Sequence, residues 1–366
     1  MKKFTLLKSM LLLCALVAGN VSVSGQVFYE SFNKYTENGG NDDNFTAGGS
    51  TAISSPNTLN DNSGWAFTKV YPAKYCVKVG GSSDKGTVVT PTITFDKGKT
   101  YIISFRAAGY DNSKETQGIV VTTSTGKLNN TSSESANITI TKAEWGTYSV
   151  TLKTDDGTGT VTGTITIAAK NKSKNRFYLD DVYVYETASA TITTAEYATY
   201  CNSSKALDFS ATGITVYTAT DNGSSVTLNE ITSGKVPANT PVVLYKDGAD
   251  GTAINVPVIS TAAAISGTND LAVSTGIDVA NMYVLANGSA GVGFYPWGGT
   301  NLSAGKVYLQ ATSSAREFLG FENGTTAIET VKTQKVDGKY YNLAGQLVTN
   351  PTKGLYIVNG KKVIIK

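Results

Sequence analysis

The run TYIISFRAAGY, residues 100 to 110, decides the fold class. Side chains of an extended strand alternate between two faces. Tyr101, Ile103 and Phe105 therefore fall on one side, and Ile102, Ser104 and Arg106 on the other. The first set is the more apolar and is expected to face a core. The same pattern recurs outward in both directions, in VFYESF (27–32), KYCVKVG (74–80), GIVVTTST (118–125), WGTYSVTLK (145–153), TGTITIAAK (162–170) and RFYLDDVYVYE (176–186). Short β-branched and aromatic runs separated by turn residues predict a β-sandwich over 26–187. One polar stretch, Asn33 to Asn62, is too long for a hairpin loop and reads as a functional or partly disordered segment.

A second all-β unit is expected over 188–326, with strands in ITVYTAT (214–220), SVTLNEI (225–231), TPVVLYK (240–246), MYVLANG (282–288), VGFYPW (292–297) and KVYLQA (306–311). Residues 327–335 read as a linker. The tail, 336–366, predicts three short strands, with an Asn-Gly hairpin turn between GLYIV and KKVIIK. The fold class is thus all-β throughout, and no stretch shows a convincing helical period. Several domains are expected of a chain of 366 residues.

Residues 1–25 combine Lys2, Lys3 and Lys8 with an apolar run from Met10 to Val17 and a small polar end, the make-up of a secretory signal peptide. The apolar run is too short to span a bilayer, and Cys14 lies inside it, which argues against lipid attachment. Removal of this segment leaves 28 basic against 28 acidic residues. Without a basic excess or cluster, a nucleic-acid role has no electrostatic basis. Cys76 and Cys201 then remain, and two buried free thiols are expected in preference to a disulfide. Histidine is absent, which excludes Ser-His-Asp and Cys-His catalysis and His-ligated zinc.

Three resemblances add to this reading. Tyr341-Asn342-Leu343-Ala344-Gly345, Gly354-Leu355-Tyr356-Ile357-Val358 and Lys361-Lys362-Val363-Ile364-Ile365-Lys366 resemble the C-terminal sorting domains of proteins exported by the type IX system of Gram-negative anaerobes. That implies the export machinery as a partner and an extracellular or outer-surface location. The middle unit is similar to an uncharacterised repeat of secreted proteins from such bacteria, through Tyr197-Ala198-Thr199-Tyr200, Ala206-Leu207-Asp208-Phe209, Val236-Pro237-Ala238-Asn239-Thr240, Tyr283-Val284-Leu285 and Gly291-Val292-Gly293-Phe294-Tyr295; no function comes with it. The first unit resembles galactose-binding-like jelly rolls, opening on Phe28-Tyr29-Glu30-Ser31-Phe32 and closing on Phe177-Tyr178-Leu179-Asp180-Asp181-Val182. This last resemblance implies carbohydrate binding or surface anchoring. It also implies one structural Ca2+ shared by Glu30 and Asp180, with Asp181 a weaker candidate.

A pyranose presents C–H faces that stack on aromatic rings and hydroxyls that need fixed polar partners. In GWAFTKVYPAKY, Trp65, Tyr71 and Tyr75 flank Lys69 and Lys74, and Tyr110, Asp111 and Asn112 end a strand at a loop. These six aromatic and polar residues are the candidate ligand contacts. The competing reading has Trp65 plugging the core and the tyrosines lining a half-buried sheet. Trp145 and Trp297 read as packing residues. Glu115, Glu134, Glu144, Asp155 and Asp156 supply carboxylates in number, but a glycosidase needs two across a cleft, one with a raised pKa. The Asp155-Asp156-Gly157 turn should be wet. The expectation is a non-catalytic carbohydrate-binding or cell-surface attachment protein. A structural or adhesin protein without a glycan site is the alternative, and a glycoside hydrolase or its accessory the remote one.

Overall fold

The computed structural model describes residues 25–313 and 316–322 together with tail segments 340–341, 347–348, 353–358 and 361–365. The expected signal peptide, save Gly25, and the linker at 327–335 lie outside the described residues. The described chain is all-β, with a single 3-10 turn at Pro56–Thr58. No helix among the described residues is long and apolar enough to cross a membrane.

The first sandwich has fourteen strands: β1 (Gln26–Glu30), β2 (Ala66–Thr68), β3 (Val70–Ala73), β4 (Cys76–Val79), β5 (Thr87–Val89), β6 (Ile93–Asp96), β7 (Thr100–Gly109), β8 (Gly118–Thr123), β9 (Lys127–Leu128), β10 (Ser135–Thr139), β11 (Gly146–Lys153), β12 (Thr160–Gly163), β13 (Ile165–Ala169) and β14 (Phe177–Thr191). One sheet runs β14-β7-β11-β9, with β1 and β4 also on β14 and β3 on β4; the facing sheet runs β10-β8-β13-β5-β2. Between them lies an apolar core to which Tyr101, Ile103 and Phe105 contribute, so the period-two reading of 100–110 sets the correct face inward. Phe28, Phe32, Trp65, Phe95, Phe177 and Val184 close the same core.

Strand β14 carries an irregularity that positions the functional face. It pairs Asp180 with Arg106 and Tyr183 with Ser104 on β7, so one extra residue is taken up between them, and Asp181 adopts φ 47°. A bulge of this kind shifts the side-chain alternation by one. Before it, Tyr178 and Asp180 point away from the core while Phe177 and Leu179 enter it. Beyond it, Val182 and Val184 are the core residues and Tyr183 the outward one.

The middle region shares that strand. The 187/188 boundary falls inside β14, whose last residues, Thr187–Thr191, pair with β21 (Ala253–Ile259), and β16 (Ala206–Asp208) and β19 (Lys235–Val236) extend the sheet further. A second layer contains β15 (Tyr197–Tyr200), β20 (Val242–Tyr245), β17 (Thr215–Asp221) and β18 (Val226–Glu230). The third contains β22 (Leu271–Val273), β25 (Val307–Gln310), β23 (Met282–Gly288) and β24 (Gly291–Pro296). The central layer is apolar on both faces: Val242 and Leu244 enter one core, and Val243 between them enters the other. Glu186, with only 8% of its side chain exposed, lies 3.9 Å from Lys99 of the sandwich and 3.5 Å from Lys205 of the middle region.

Both cysteines are free thiols. Cys76 is buried as expected, whereas Cys201 is only half-buried, packed at the margin of the core between the second and third layers. The tail forms its own antiparallel sheet of four short strands, β26 (Tyr340–Tyr341), β27 (Leu347–Val348), β28 (Gly354–Val358) and β29 (Lys361–Ile365), where the sequence predicts three.

Candidate functional site

The sandwich has two outward faces. That of the β10-β8-β13-β5-β2 sheet presents Thr68, Thr87, Thr122, Asn137 and Thr166 and has no aromatic residue among these positions. The other, on β3, β4, β14, β7 and β11, gathers aromatic rings, cations and carboxylates. It is the candidate site.

One end of this face is roofed by the segment 33–62. Far from being a free loop, this segment is anchored along its length. Tyr35 is buried and donates from its hydroxyl to Asn60 Oδ1 at 2.7 Å. Gly40 presses on the sheet: with φ +79°, a Cβ there would collide with Cys76 Sγ and come within 3.0 Å of Tyr178 Cδ1. Phe45 packs edge-on against Tyr178, whose hydroxyl donates to the Ala47 carbonyl at 2.7 Å. Beneath the roof a cross-strand row runs Tyr71, Lys78, Tyr178, Ala108, set by the registers of β3 with β4, β4 with β14 and β14 with β7.

At the margin of the roof stand Trp145 and Arg106. The guanidinium lies 4.8 Å from the indole centroid, and Trp145 Nε1 donates to the Gly40 carbonyl at 3.4 Å. Arg106 also donates to Asp180 Oδ2 at 3.0 Å and lies 3.6 Å from Asp181. Asn41 Nδ2 donates to the same Asp180 oxygen at 2.9 Å. Burial and then the neighbouring Asp181 carboxylate push the Asp180 carboxyl up to about 7, against the pull of Asn41 and Arg106. Tyr29 donates to Asp181 Oδ1 at 3.0 Å and stacks on Tyr183 at 4.2 Å. From Trp145 the outward positions of β11 continue as Thr147, Ser149 and Thr151, all half-buried, paired with Arg106, Ser104 and Ile102 of β7.

The sequence-predicted contacts divide. Trp65 is a correction: it is 4% exposed, sits on the core side of the sheet against Phe28, Phe32 and Phe67, and spends its indole N–H on Glu30. Without a free face it has nothing to offer a sugar. Tyr71 and Tyr110 lie on the outer face. Tyr71 is half-buried beneath Lys78 Nζ at 4.9 Å from its ring. Tyr110 stacks parallel to Tyr178 at 6.2 Å, carries the Arg176 guanidinium 3.7 Å from its centroid and donates to the Thr46 carbonyl, so its ring serves the roof. Tyr75 is 42% exposed at the tip of the β3–β4 hairpin, with φ 53° and Lys74 4.6 Å from its ring. Asp111 pairs with Lys142 at 3.2 Å, and Asn112 Oδ1 accepts the Lys114 backbone N–H at 2.9 Å; both belong to the turn after β7. Trp145 reads from the sequence as a packing residue, and Arg106, Tyr29 and Tyr183 are not singled out there as contacts, although the alternation in 100–110 does place Arg106 on the outward side.

The expected calcium ligands do not fit a shared cation in this arrangement. Glu30 is fully buried and both its oxygens are occupied by N–H donors. Oε1 accepts from the backbone of Phe32 at 3.3 Å and Asp61 at 2.9 Å, and Oε2 from the backbone of Asn62 at 3.2 Å, Asn62 Nδ2 at 3.3 Å and Trp65 Nε1 at 3.0 Å. A carboxylate offers about four acceptor positions, and donors rather than oxygen ligands fill them. Glu30 instead ties the end of the roof segment and Trp65 to β1. Asp180 is engaged by Arg106 and Asn41, and no group of three or more Cys, Asp or Glu side chains placed to hold a metal ion is found among the described residues.

The carboxylates considered for catalysis are dispersed. Glu115 clamps Arg176 through several hydrogen bonds, Glu134 pairs with Lys127 at 2.6 Å, and Asp156, with 92% of its side chain exposed, pairs with Lys153 at 3.2 Å.

Residues 25–179 match the family model described as a carbohydrate binding domain, so the first sandwich carries the sequence pattern of such a domain. No curated protein matches the chain. Among solved structures, a family 4 carbohydrate-binding module is similar at 20% identity, over 33% of this chain and 77% of its own, with a TM-score of 0.24. The CBM22-1 xylan-binding domain from Paenibacillus barcinonensis is similar at 11% identity over 46% and 97%, TM-score 0.25. A family 61 module in complex with β-1,4-galactotriose is similar at 14% identity over 34% and 89%, TM-score 0.23.

Proposed function

We propose that the chain is an exported, non-catalytic glycan-binding protein, and that the glycan lies on the outer face of the β14-β7-β11 sheet beside the roof segment. The observation that supports this most is the family match over 25–179 together with the chemistry of that face. Trp145 backed by Arg106, the Tyr29–Tyr183 pair, two carboxylates and a row of hydroxyls supply stacking surfaces and fixed polar partners within one sheet face. The dispersed carboxylates support non-catalysis: Asp180 and Asp181 share one arginine on one side of the face, and Glu115, Glu134 and Asp156 are each paired with a cation elsewhere on the sandwich. Delivery to the cell exterior by the tail and an N-terminal signal is part of the same proposal and stands on the sequence resemblances.

Trp145→Ala and Arg106→Ala should each lower glycan affinity at least tenfold, a loss of about 1.4 kcal/mol, while Tyr75→Ala changes it less than twofold. Equal affinity of all three variants and the parent would place the site elsewhere, and a folded parent that binds no glycan would favour the structural or adhesin reading.

A further inference from the structure

We infer that the middle β region forms part of the glycan site, an inference that rests on the glycan reading above. The outer face of β7 and β11 does not end in solvent. Ile102, Ser149 and Thr151 form one wall of a cleft of about 440 Å³ whose other wall comes from the middle region, including Thr212, Lys246 and Asn255. The volume is in the range of small-molecule sites, and a junction between packed units is a common place for one. The two walls are held in register by the shared strand β14, by its pairing with β21 and by Glu186 between Lys99 and Lys205.

Continuity links this cleft to the aromatic end. Trp145, Thr147, Ser149 and Thr151 recur at every second position, so they share one face. The six residue steps between the first and last span about 20 Å at the rise of an extended strand. The side-chain hydroxyls of Thr147, Ser149 and Thr151 make no side-chain hydrogen bond among the described residues and remain free to meet a ligand hydroxyl. Lys246 and Asn255 bring to the far wall the donors and acceptors that vicinal hydroxyls require. No aromatic ring among the described residues lines the cleft, but Ile102, Ile192 and Ile254 give it aliphatic walls, so it suits the C–H surface of sugar units beyond the stacking at Trp145, with the polar side chains meeting their hydroxyls. The occupant is therefore an extended oligosaccharide longer than a disaccharide, whose far units reach the middle region.

The test uses the full chain and β-1,4-linked oligosaccharides of glucose, xylose and galactose, from disaccharide to hexasaccharide, titrated calorimetrically. Affinity should rise with length. Thr151→Trp, which fills the cleft from the sheet side, should cut hexasaccharide affinity at least tenfold, and Lys246→Ala and Asn255→Ala about threefold to tenfold. Disaccharide affinity should stay within twofold of the parent in all three. Circular dichroism and thermal midpoints confirm that each variant is folded, and the two alanine variants are mild enough to decide the matter if Thr151→Trp is not. Unchanged hexasaccharide affinity in folded variants would overturn the role of the middle region while leaving the glycan reading intact. Failure of the parent to bind any member of the series would overturn both.

Discussion

At position 65 the indole is an internal strut, and the same is true of Glu30 beneath it. The Trp65 ring fills the sandwich core and its Nε1–H is one of five donors on a buried carboxylate. Trp65→Ala should therefore cost about 3 to 5 kcal/mol through the cavity it leaves, read as a lowered urea midpoint. A stability change under about 1 kcal/mol would show the ring to be dispensable to the core. Asp180 gives a residue-scale dependence on pH. Its carboxyl is pushed up to about 7 in the folded chain from the ordinary value of 3.8. Between these values the folded state holds a proton that the unfolded chain has lost. Its contribution is thus fully present below about pH 4 and is lost as pH rises through 7, each tenfold difference in proton affinity between the two states being worth about 1.4 kcal/mol. The thermal midpoint should fall between about pH 4 and pH 7, and Asp180→Asn should flatten that fall. An identical slope in the variant would contradict the assignment.

Among the elements, the alternation in 100–110 was readable because β7 is regular along its length and pairs without a break with β11. The closing strand was not. In RFYLDDVYVYE a strict period of two would put Asp180 and Val182 on the same face, yet the bulge at Asp181 sends Val182 into the core and turns Tyr183 out. A single residue at positive φ reverses the pattern; aspartate tolerates that conformation, but the residue type alone does not say whether Asp180 or Asp181 adopts it. The roof segment was illegible for a different reason. Its polar residues read as loop, but it is held by scattered tertiary contacts, Tyr35 on Asn60, Gly40 on Cys76 and Tyr178, and Glu30 on residues 61 and 62. Trp145 lies at the mouth of a turn, and its neighbours Arg106 and Phe45 are distant in sequence. Because N–H donors fill Glu30, the roof should hold without a divalent cation. A chelator should leave the thermal midpoint unchanged within about 1 °C, whereas a fall of several degrees, restored by added calcium, would show that a cation replaces some of those donors.

On the scale of the whole molecule, the sandwich and the middle region are joined by one fifteen-residue strand, and the face that carries Trp145 ends against the middle region. The two are therefore not independent beads on a string. The sequence pattern separates them at 187/188, while the backbone pairing that crosses the boundary is a long-range property. The central claim is that this face binds glycan and leaves it intact. The most direct measurement is a glycan array probed with the full chain, followed by prolonged incubation of each hit and an assay for new reducing ends. Hits are expected among linear oligosaccharides, with their loss in Trp145→Ala and no new reducing ends. A blank array with folded protein, or cleavage of a bound glycan, would contradict the claim.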